Sequence, residues 1–183
     1  MTILHIDTSI SGANSASRQL TESIVDKLQT TGKGGEVIYR DLAANPLPHL
    51  TFDAFADTST LNQFLAADTI VIGAPMYNFT VPTQLKAWID RVAIAGTTFR
   101  YTENGPEGLM GGKRVIIALA RGGFYNDGSP AAGFEFAERY LKAVFNFIGI
   151  EPEFVAADGL AVSPEQRETS IKQALGETVR LAA

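Results

Sequence analysis

Hydroxyl side chains dominate Thr8–Ser17, a segment named here the hydroxyl loop, which lies between a short apolar run and the amphipathic pattern of a helix. The loop lacks both the lysine of a Walker loop and the glycine spacing of a dinucleotide-binding turn. Serine hydroxyls, the free N–H groups of a helix start and the nearby Arg18 can together hold a phosphate. The same residues also suit a polar turn in which Ser15 or Ser17 only caps the helix.

Aromatic side chains crowd a second segment, Ala74–Lys86, named here the aromatic segment. Met76, Tyr77, Asn78 and Phe79 occur where a loop usually has polar turn residues. Ring faces and a thioether pack well on a flat aromatic ligand, and the amide of Asn78 can bond to its polar edge. Alternatively, these side chains pack on the core of the protein itself.

Paired glycines mark a third segment, Ala120–Pro130, named here the glycine loop. Gly122 and Gly123 let backbone N–H groups approach a ligand closely, while Arg121 adds a fixed positive charge and Tyr125 a phenol. The alternative is an ordinary glycine turn with an exposed arginine.

The composition excludes several other chemistries. The 183 residues contain no cysteine and only two histidines, which excludes thiolate catalysis, disulfides and cysteine-ligated metals and disfavours a metal site built from histidines alone. A formal net charge of −5 disfavours nucleic acids and anionic membranes as partners. No leader pattern and no apolar run of about 20 residues is visible, so we expect a cytoplasmic protein without a membrane-spanning segment.

Short apolar runs alternate with helical patterns along the chain, which is typical of an α/β fold with a parallel sheet covered on both faces. No linker divides the sequence, so residues 1–183 are predicted to form a single domain. Gly96–Gly112 is predicted to be an irregular loop that is too long for a routine connection. The predicted strands are Thr2–Asp7, Glu36–Arg40, Asp68–Ala74, Lys113–Ala120 and Glu153–Ala157.

The hydroxyl loop, the aromatic segment and the glycine loop follow the first, third and fourth predicted strands. Ligands of open parallel sheets bind outside the carboxyl ends of the strands. We therefore expect a phosphorylated aromatic ligand to lie across this edge of the sheet.

These segments resemble the FMN-dependent NADH:quinone oxidoreductase and azoreductase family, and the resemblance covers nearly the whole chain. Its most distinctive parts are Met76–Phe79 with the following Pro82–Lys86, and Thr98–Leu109. The resemblance implies a flavodoxin-like three-layer sandwich with a five-stranded parallel sheet of order 2-1-3-4-5. It also implies bound FMN and a two-electron, ping-pong hydride transfer from NADH or NADPH to quinones or aromatic azo compounds. The working unit that it implies is a homodimer with the active site at the subunit interface.

The resemblance also assigns residues to the flavin, while no residue is assigned to a metal and no side chain to a catalytic acid or base. The flavin residues are Ser9, Ser15, Ala16 and Ser17 around the phosphate, Met76, Tyr77, Asn78 and Phe79 beside the isoalloxazine, and Ala120, Arg121, Gly122 and Gly123 along its other polar edge.

Three aromatic residues are assigned to the substrate pocket. Tyr101 resembles the aromatic that the family contributes to the partner subunit's pocket, Phe147 resembles a wall of that pocket, and Tyr125 stands where some members have histidine. The chain also departs from the family pattern at Ala16, where a polar residue is expected, and at Ala120, which replaces a hydroxyl residue.

Two other functions are compatible with this fold class. A flavodoxin-like electron carrier would serve a protein partner, but the long segment Gly96–Gly112 favours a covered pocket and therefore a reductase. A phospho-acceptor receiver needs an acidic cluster after the first strand and an aspartate after the third. Here the first strand ends in Asp7 alone and Gly73–Pro75 closes the third, so this function is disfavoured.

Overall fold

A parallel sheet of five strands forms the centre of the computed structural model, which describes residues 1–31 and 35–181. The sheet strands are β1 (Ile3–Asp7), β2 (Val37–Asp41), β3 (Thr69–Pro75), β6 (Arg114–Ala120) and β7 (Glu153–Ala157), and a separate hairpin contains β4 (Phe99–Thr102) and β5 (Gly105–Gly108). The helices are α1 (Ala16–Thr30), α2 (Ser59–Ala66), α3 (Thr83–Val92), α4 (Ala137–Phe147) and α5 (Pro164–Leu181).

The sheet strands lie in the order β2-β1-β3-β6-β7, and each neighbouring pair is parallel. When the two hairpin strands are left out of the numbering, this is the expected order 2-1-3-4-5. The five predicted strands are confirmed, and their ends differ from the predicted ends by at most one residue. Within the described residues, no helix combines the length and the apolar character that crossing a membrane requires.

Alternate side chains of β3 enter two separate cores. Ile70 and Ile72 pack in the core beneath α3 and α4, whereas Val71 packs in the core beneath α1 and α5. All residues of β3 are buried, which explains why the sequence shows a continuous apolar run there instead of an alternating one. Helices on both faces of the sheet therefore make three layers.

The direction of the chain places different loops at opposite edges of the sheet. Loops that leave β1, β3 and β6 meet at the carboxyl edge, where the Met76 N–H donates to the Ala120 carbonyl at 2.8 Å. Each helix then runs back, so α4 ends at the amino edge. There the Ile148 carbonyl accepts the Met110 N–H at 2.9 Å, just beyond the hairpin.

The prediction of an irregular loop at Gly96–Gly112 was wrong, because the segment contains the antiparallel hairpin of β4 and β5. Only Phe99 of these strands is buried, and β5 shows no apolar alternation, so the sequence offers just the short alternating run Phe99–Thr102 as a sign of the hairpin. The hairpin packs backbone to backbone on the end of α4. A Cβ added to Gly108 would lie 2.1 Å from the nitrogen of Gly149, a residue whose φ of +93° ends the helix.

Replacement of Gly108 by alanine should push the hairpin away from α4, since the new Cβ would overlap the Gly149 nitrogen. We expect G108A to lower the free energy of unfolding by roughly 1–3 kcal/mol, measured by urea denaturation. Gly111→Ala is the matched control, because its Cβ would lie 3.7 Å from the nearest heavy atom. Equal losses in the two variants would contradict the close contact.

Candidate functional site

The hydroxyl loop presents unpaired polar groups at the first turn of α1. Of the two serines that the alternative interpretation offered as helix caps, Ser15 is the cap, because its Oγ accepts the Arg18 N–H at 3.3 Å; the Ser17 Oγ lies 3.1 Å from the Ser15 Oγ. The N–H groups of Ala16 and Ser17 have no acceptor among the described residues, although both residues are buried. Buried, unpaired N–H groups beside serine hydroxyls at a helix N-terminus fit an anion such as a phosphate.

Tyr77 joins the aromatic segment to the hydroxyl loop. Its hydroxyl accepts the Ile10 N–H at 3.1 Å and lies 3.4 Å from the Ser9 Oγ. Met76, by contrast, packs against the core, which agrees with the alternative interpretation for that side chain. The structure therefore brings the predicted phosphate residues and the predicted ring-binding residues into direct contact.

The aromatic segment contains a tight turn with a strained backbone. Tyr77 and Thr80 exchange both of their backbone hydrogen bonds, at 2.9 and 3.2 Å. The two residues between them have positive φ angles, 46° at Asn78 and 74° at Phe79. Glycine usually occupies the second of these positions, and a bulky residue there costs roughly 1 kcal/mol. A phenylalanine at this place indicates that its side chain has a role that the turn itself does not require.

The ring of Phe79 belongs to a group of partly exposed aromatic rings. Its centroid lies 5.1 Å from that of Phe134 and 6.4 Å from that of Tyr125, and its carbonyl accepts the Phe136 N–H at 3.1 Å. Tyr125 also lies against Gly123, where an added Cβ would be 3.3 Å from the tyrosine ring. The rings thus connect the aromatic segment with the glycine loop and offer a surface to a flat aromatic ligand.

The glycine loop is fixed through its carbonyl groups, which leaves N–H groups free. The carbonyls of Arg121, Gly122 and Gly123 accept N–H groups from residues 159–161 at 2.9–3.1 Å. In residues 1–31 and 35–181, nothing accepts the N–H groups of Gly122 and Gly123. Two consecutive free amides are suited to the polar edge of a ligand.

Arg121 is buried, so the alternative of an exposed arginine in a glycine turn is wrong. Its Nε lies 2.6 Å from Asp158 Oδ1, and its Nη1 lies 3.1 Å from Glu138 Oε2 and 3.5 Å from Glu135 Oε1. Burial by itself lowers the pKa of Arg121, but these carboxylates outweigh it and hold the pKa above its usual value. The Arg121 N–H also donates to the Ala157 carbonyl at 2.9 Å, so both the charge and the backbone of Arg121 hold the glycine loop in place.

Arg18, which the sequence indicated as a possible phosphate ligand, also has its charge balanced within the protein. Its guanidinium makes two hydrogen bonds to Asp41, at 2.7 and 2.9 Å, and thereby holds the pKa of that carboxyl below its usual value. The groups left to receive an anion at the hydroxyl loop are therefore neutral N–H and hydroxyl donors.

The residues predicted for the substrate pocket occupy two separate places. Tyr101 and Phe147 both pack on Phe99, with ring centroids 5.6 and 4.5 Å from it, at the amino edge of the sheet. Tyr125 lies at the carboxyl edge beside Phe79. No described ring contact joins Tyr125 to the other two within one chain.

Sequence reasoning missed several residues of this region. Phe134 and Phe136 complete the ring group, and the run Gly133–Phe136 carries the same aromatic signal that identified the aromatic segment. Glu135 was also missed, although its carboxylate accepts the Glu138 N–H at 2.9 Å and so orders the start of α4.

Comparison with known proteins agrees with this geometry. Residues 1–181 match a protein family described by its flavodoxin-like fold. The chain is 49% identical, over the full length of both proteins, to FMN-dependent NADH:quinone oxidoreductase 2 of Bradyrhizobium diazoefficiens. It is 54% identical to the FMN-dependent NADH:quinone oxidoreductase of Stenotrophomonas maltophilia, with 96% of this chain and 93% of the relative aligned.

Solved structures are similar over the same length. An azoreductase from Bacillus anthracis superposes with a TM-score of 0.90 at 30% identity, covering 100% of this chain and 98% of its own. An FMN-dependent NADH-azoreductase from the same species, solved in complex with FMN, superposes with a TM-score of 0.84 at 28% identity, covering all of both chains.

Removal of the Arg121 charge should destabilise the protein, because the buried Glu135 carboxylate and the partly exposed Asp158 would lose their partner. We expect R121M to lower the free energy of unfolding by about 3 kcal/mol at neutral pH, measured by chemical denaturation. Arg100→Met is the control, since the pair of Arg100 with Glu107 lies exposed on the hairpin and should matter little. An R121M protein as stable as the control would contradict the assigned ion cluster.

Proposed function

The chain belongs to the flavodoxin-like family that includes the FMN-dependent NADH:quinone oxidoreductases, and we propose that it is itself such an enzyme, with azoreductase activity. The observation that carries this proposal is the meeting of three segments at one sheet edge. Unpaired N–H groups at Ser17 and Gly123 flank a group of rings there. An anion at one end and a flat ring at the other are the chemistry of a flavin mononucleotide.

The residues present fit FMN. We assign the phosphate to the Ala16 and Ser17 N–H groups and to the hydroxyls of Ser9, Ser15 and Ser17, because buried donors without acceptors favour an anion. The departure at Ala16 removes a polar side chain but not this backbone N–H.

The isoalloxazine is assigned to the turn of Tyr77, Asn78 and Phe79 and to the free amides of Gly122 and Gly123. The departure at Ala120 likewise leaves a backbone role intact, since its carbonyl holds the Met76 N–H.

In this proposal the bound flavin supplies the redox chemistry, accepting a hydride from NADH or NADPH and delivering electrons to a quinone or an aromatic azo compound. The protein binds the flavin and orients the substrates. The ring group of Phe79, Phe134 and Tyr125 receives flat aromatic substrates and keeps water from their faces. No described side chain needs to act as a catalytic acid or base.

We further propose that the single domain works as a homodimer whose pocket contains residues of both subunits. The direction of α4 and the position of the hairpin support this, because Tyr101 and Phe147 lie at the opposite sheet edge from Tyr125 within one chain. Tyr101 is 74% exposed on the projecting hairpin, where a second copy could receive it. The cytoplasmic location expected from the sequence stays a prediction.

The purified protein should be yellow, or become yellow with added FMN, and its visible flavin absorbance should bleach on anaerobic addition of NADH. Steady-state NADH oxidation with benzoquinone, and without any other protein, should then follow a ping-pong pattern. A protein that stays colourless with FMN would end the proposal. Bleaching by an added reductase but not by NADH would instead indicate an electron carrier.

Mixing two inactive variants tests the shared pocket. If the partner subunit supplies Tyr101 while Tyr125 comes from the pocket's own chain, Y101A and Y125A each impair both pockets of their homodimers. Subunit exchange between them should restore about a quarter of the pockets, those with both tyrosines, measured as NADH:quinone turnover. Turnover that never exceeds the mean of the two separate variants would show that both tyrosines serve one chain's own pocket.

A further inference from the structure

Arg18 links the edge of the sheet to the hydroxyl loop. Its Nη2 donates to the Ser9 carbonyl at 2.8 Å and to Asp41 Oδ1 at 2.9 Å, while its Nη1 donates to Asp41 Oδ2 at 2.7 Å. Its backbone N–H donates to the Ser15 Oγ. One residue thus contacts both ends of the loop, although it offers no free charge to a ligand.

We propose that Arg18 is a positioning residue for the flavin phosphate: it fixes the Ser9 carbonyl and so holds the Ser9 hydroxyl and the start of α1 in the arrangement that receives the phosphate. This inference rests on the proposed function, since it assumes that the hydroxyl loop binds FMN. It extends that function by assigning a role to a side chain that does not contact the ligand.

The hydrogen bonds of the hydroxyl loop explain why the contact of Arg18 with the Ser9 carbonyl matters. Residues 9–11 lie between β1 and the helical turns that follow, and their backbone polar groups are held by side chains. Arg18 holds the Ser9 carbonyl, the Tyr77 hydroxyl holds the Ile10 N–H, and the Ser9 hydroxyl accepts the Ser11 N–H at 3.2 Å. A loop that is ordered before binding loses less conformational entropy when the ligand binds.

Arg18 is itself held rigidly, as a positioning residue must be. Asp41 Oδ1 also accepts the N–H groups of Ala43 and Ala44, both at 3.0 Å, so the carboxylate cannot rotate freely. The Tyr39 hydroxyl accepts from Arg18 Nη1 at 3.1 Å and donates to Asp7 Oδ2 at 3.0 Å. Burial, together with the charge of Asp7, raises the pKa of Tyr39 to about 12, so this hydroxyl donates to Asp7 well into the alkaline range.

Arg18 also favours phosphate binding through its charge, which balances the carboxylates of Asp7 and Asp41. Its Nη1 lies 3.6 Å from Asp7 Oδ2 in addition to its contacts with Asp41. Without the guanidinium, two carboxylates close to the hydroxyl loop would lose their counter-charge and repel a phosphate. The loss of Arg18 should therefore weaken binding of the phosphate end of the flavin and leave binding of its ring unaffected.

Binding of FMN and of riboflavin to flavin-free protein tests this role, because riboflavin has the same ring system without the phosphate. We expect R18M to raise the dissociation constant of FMN about tenfold and that of riboflavin by less than about twofold, measured by quenching of flavin fluorescence. R18K keeps the positive charge but not the planar guanidinium that bonds to Asp41 and the Ser9 carbonyl together, so it should weaken FMN binding less than R18M. If R18M does not fold, R18K decides the question alone, with FMN weakened and riboflavin unchanged as the expected result.

Arg40→Met is the matched control. Arg40 precedes Asp41 on β2 and donates to Gln63 Oε1 at 2.9 Å, so R40M also removes one positive charge but leaves the contacts of Arg18 intact. It should leave both dissociation constants within about twofold of the wild-type values. Equal weakening of FMN and riboflavin by R18M, unchanged FMN binding, or an equal effect of R40M would overturn the inference. A wild-type protein that binds neither flavin would instead overturn the proposed function.

Discussion

Parallel pairing of the strands is the constraint on which the rest of this structure depends. Because β1, β3 and β6 run in the same direction side by side, the segments that follow them must leave the sheet at one edge. The hydroxyl loop, the aromatic segment and the glycine loop are far apart in the sequence and become neighbours only for this reason. The same constraint carries α4 and the hairpin to the other edge, and so separates Tyr101 and Phe147 from Tyr125.

At the carboxyl edge, the charged groups are paired with one another and the neutral donors are left for a ligand. Arg18 and Arg121 have their charges balanced by Asp41 and by Asp158 with its neighbours, so both arginines shape loops instead of facing a ligand. Among the described residues, the backbone N–H groups of Ala16, Ser17, Gly122 and Gly123 have no acceptor, and the serine hydroxyls of the hydroxyl loop lie beside the first two. Such neutral donors bind an anion through directed hydrogen bonds and the dipole of α1, which makes the geometry of the loops more important than net charge. This is consistent with an acidic protein that holds a phosphorylated cofactor.

Local strain is concentrated at the same edge. The turn at Asn78 and Phe79 keeps a left-handed backbone without glycine, and it is held there by the backbone bonds of Tyr77 to Thr80 and by the Phe136 N–H. A turn selected for stability alone would have glycine at the second position. The strain is therefore consistent with a ring that must face a ligand, next to the partly exposed Phe134.

The sequence alone determined the five strands of the sheet, a serine cap at the start of α1, and the three segments that meet at the carboxyl edge. These features depend on local patterns: apolar runs, capping residues, and clusters of one residue type. Only the tertiary structure decided which charges are free, because Arg18 and Arg121 find their carboxylates on distant elements. It also revealed the hairpin at Phe99–Gly108, which is stabilised by packing on α4 and whose second strand carries no apolar alternation. Finally, it decided that Tyr101 and Tyr125 lie at opposite edges of the sheet, since that depends on the direction of α4 and not on any local pattern.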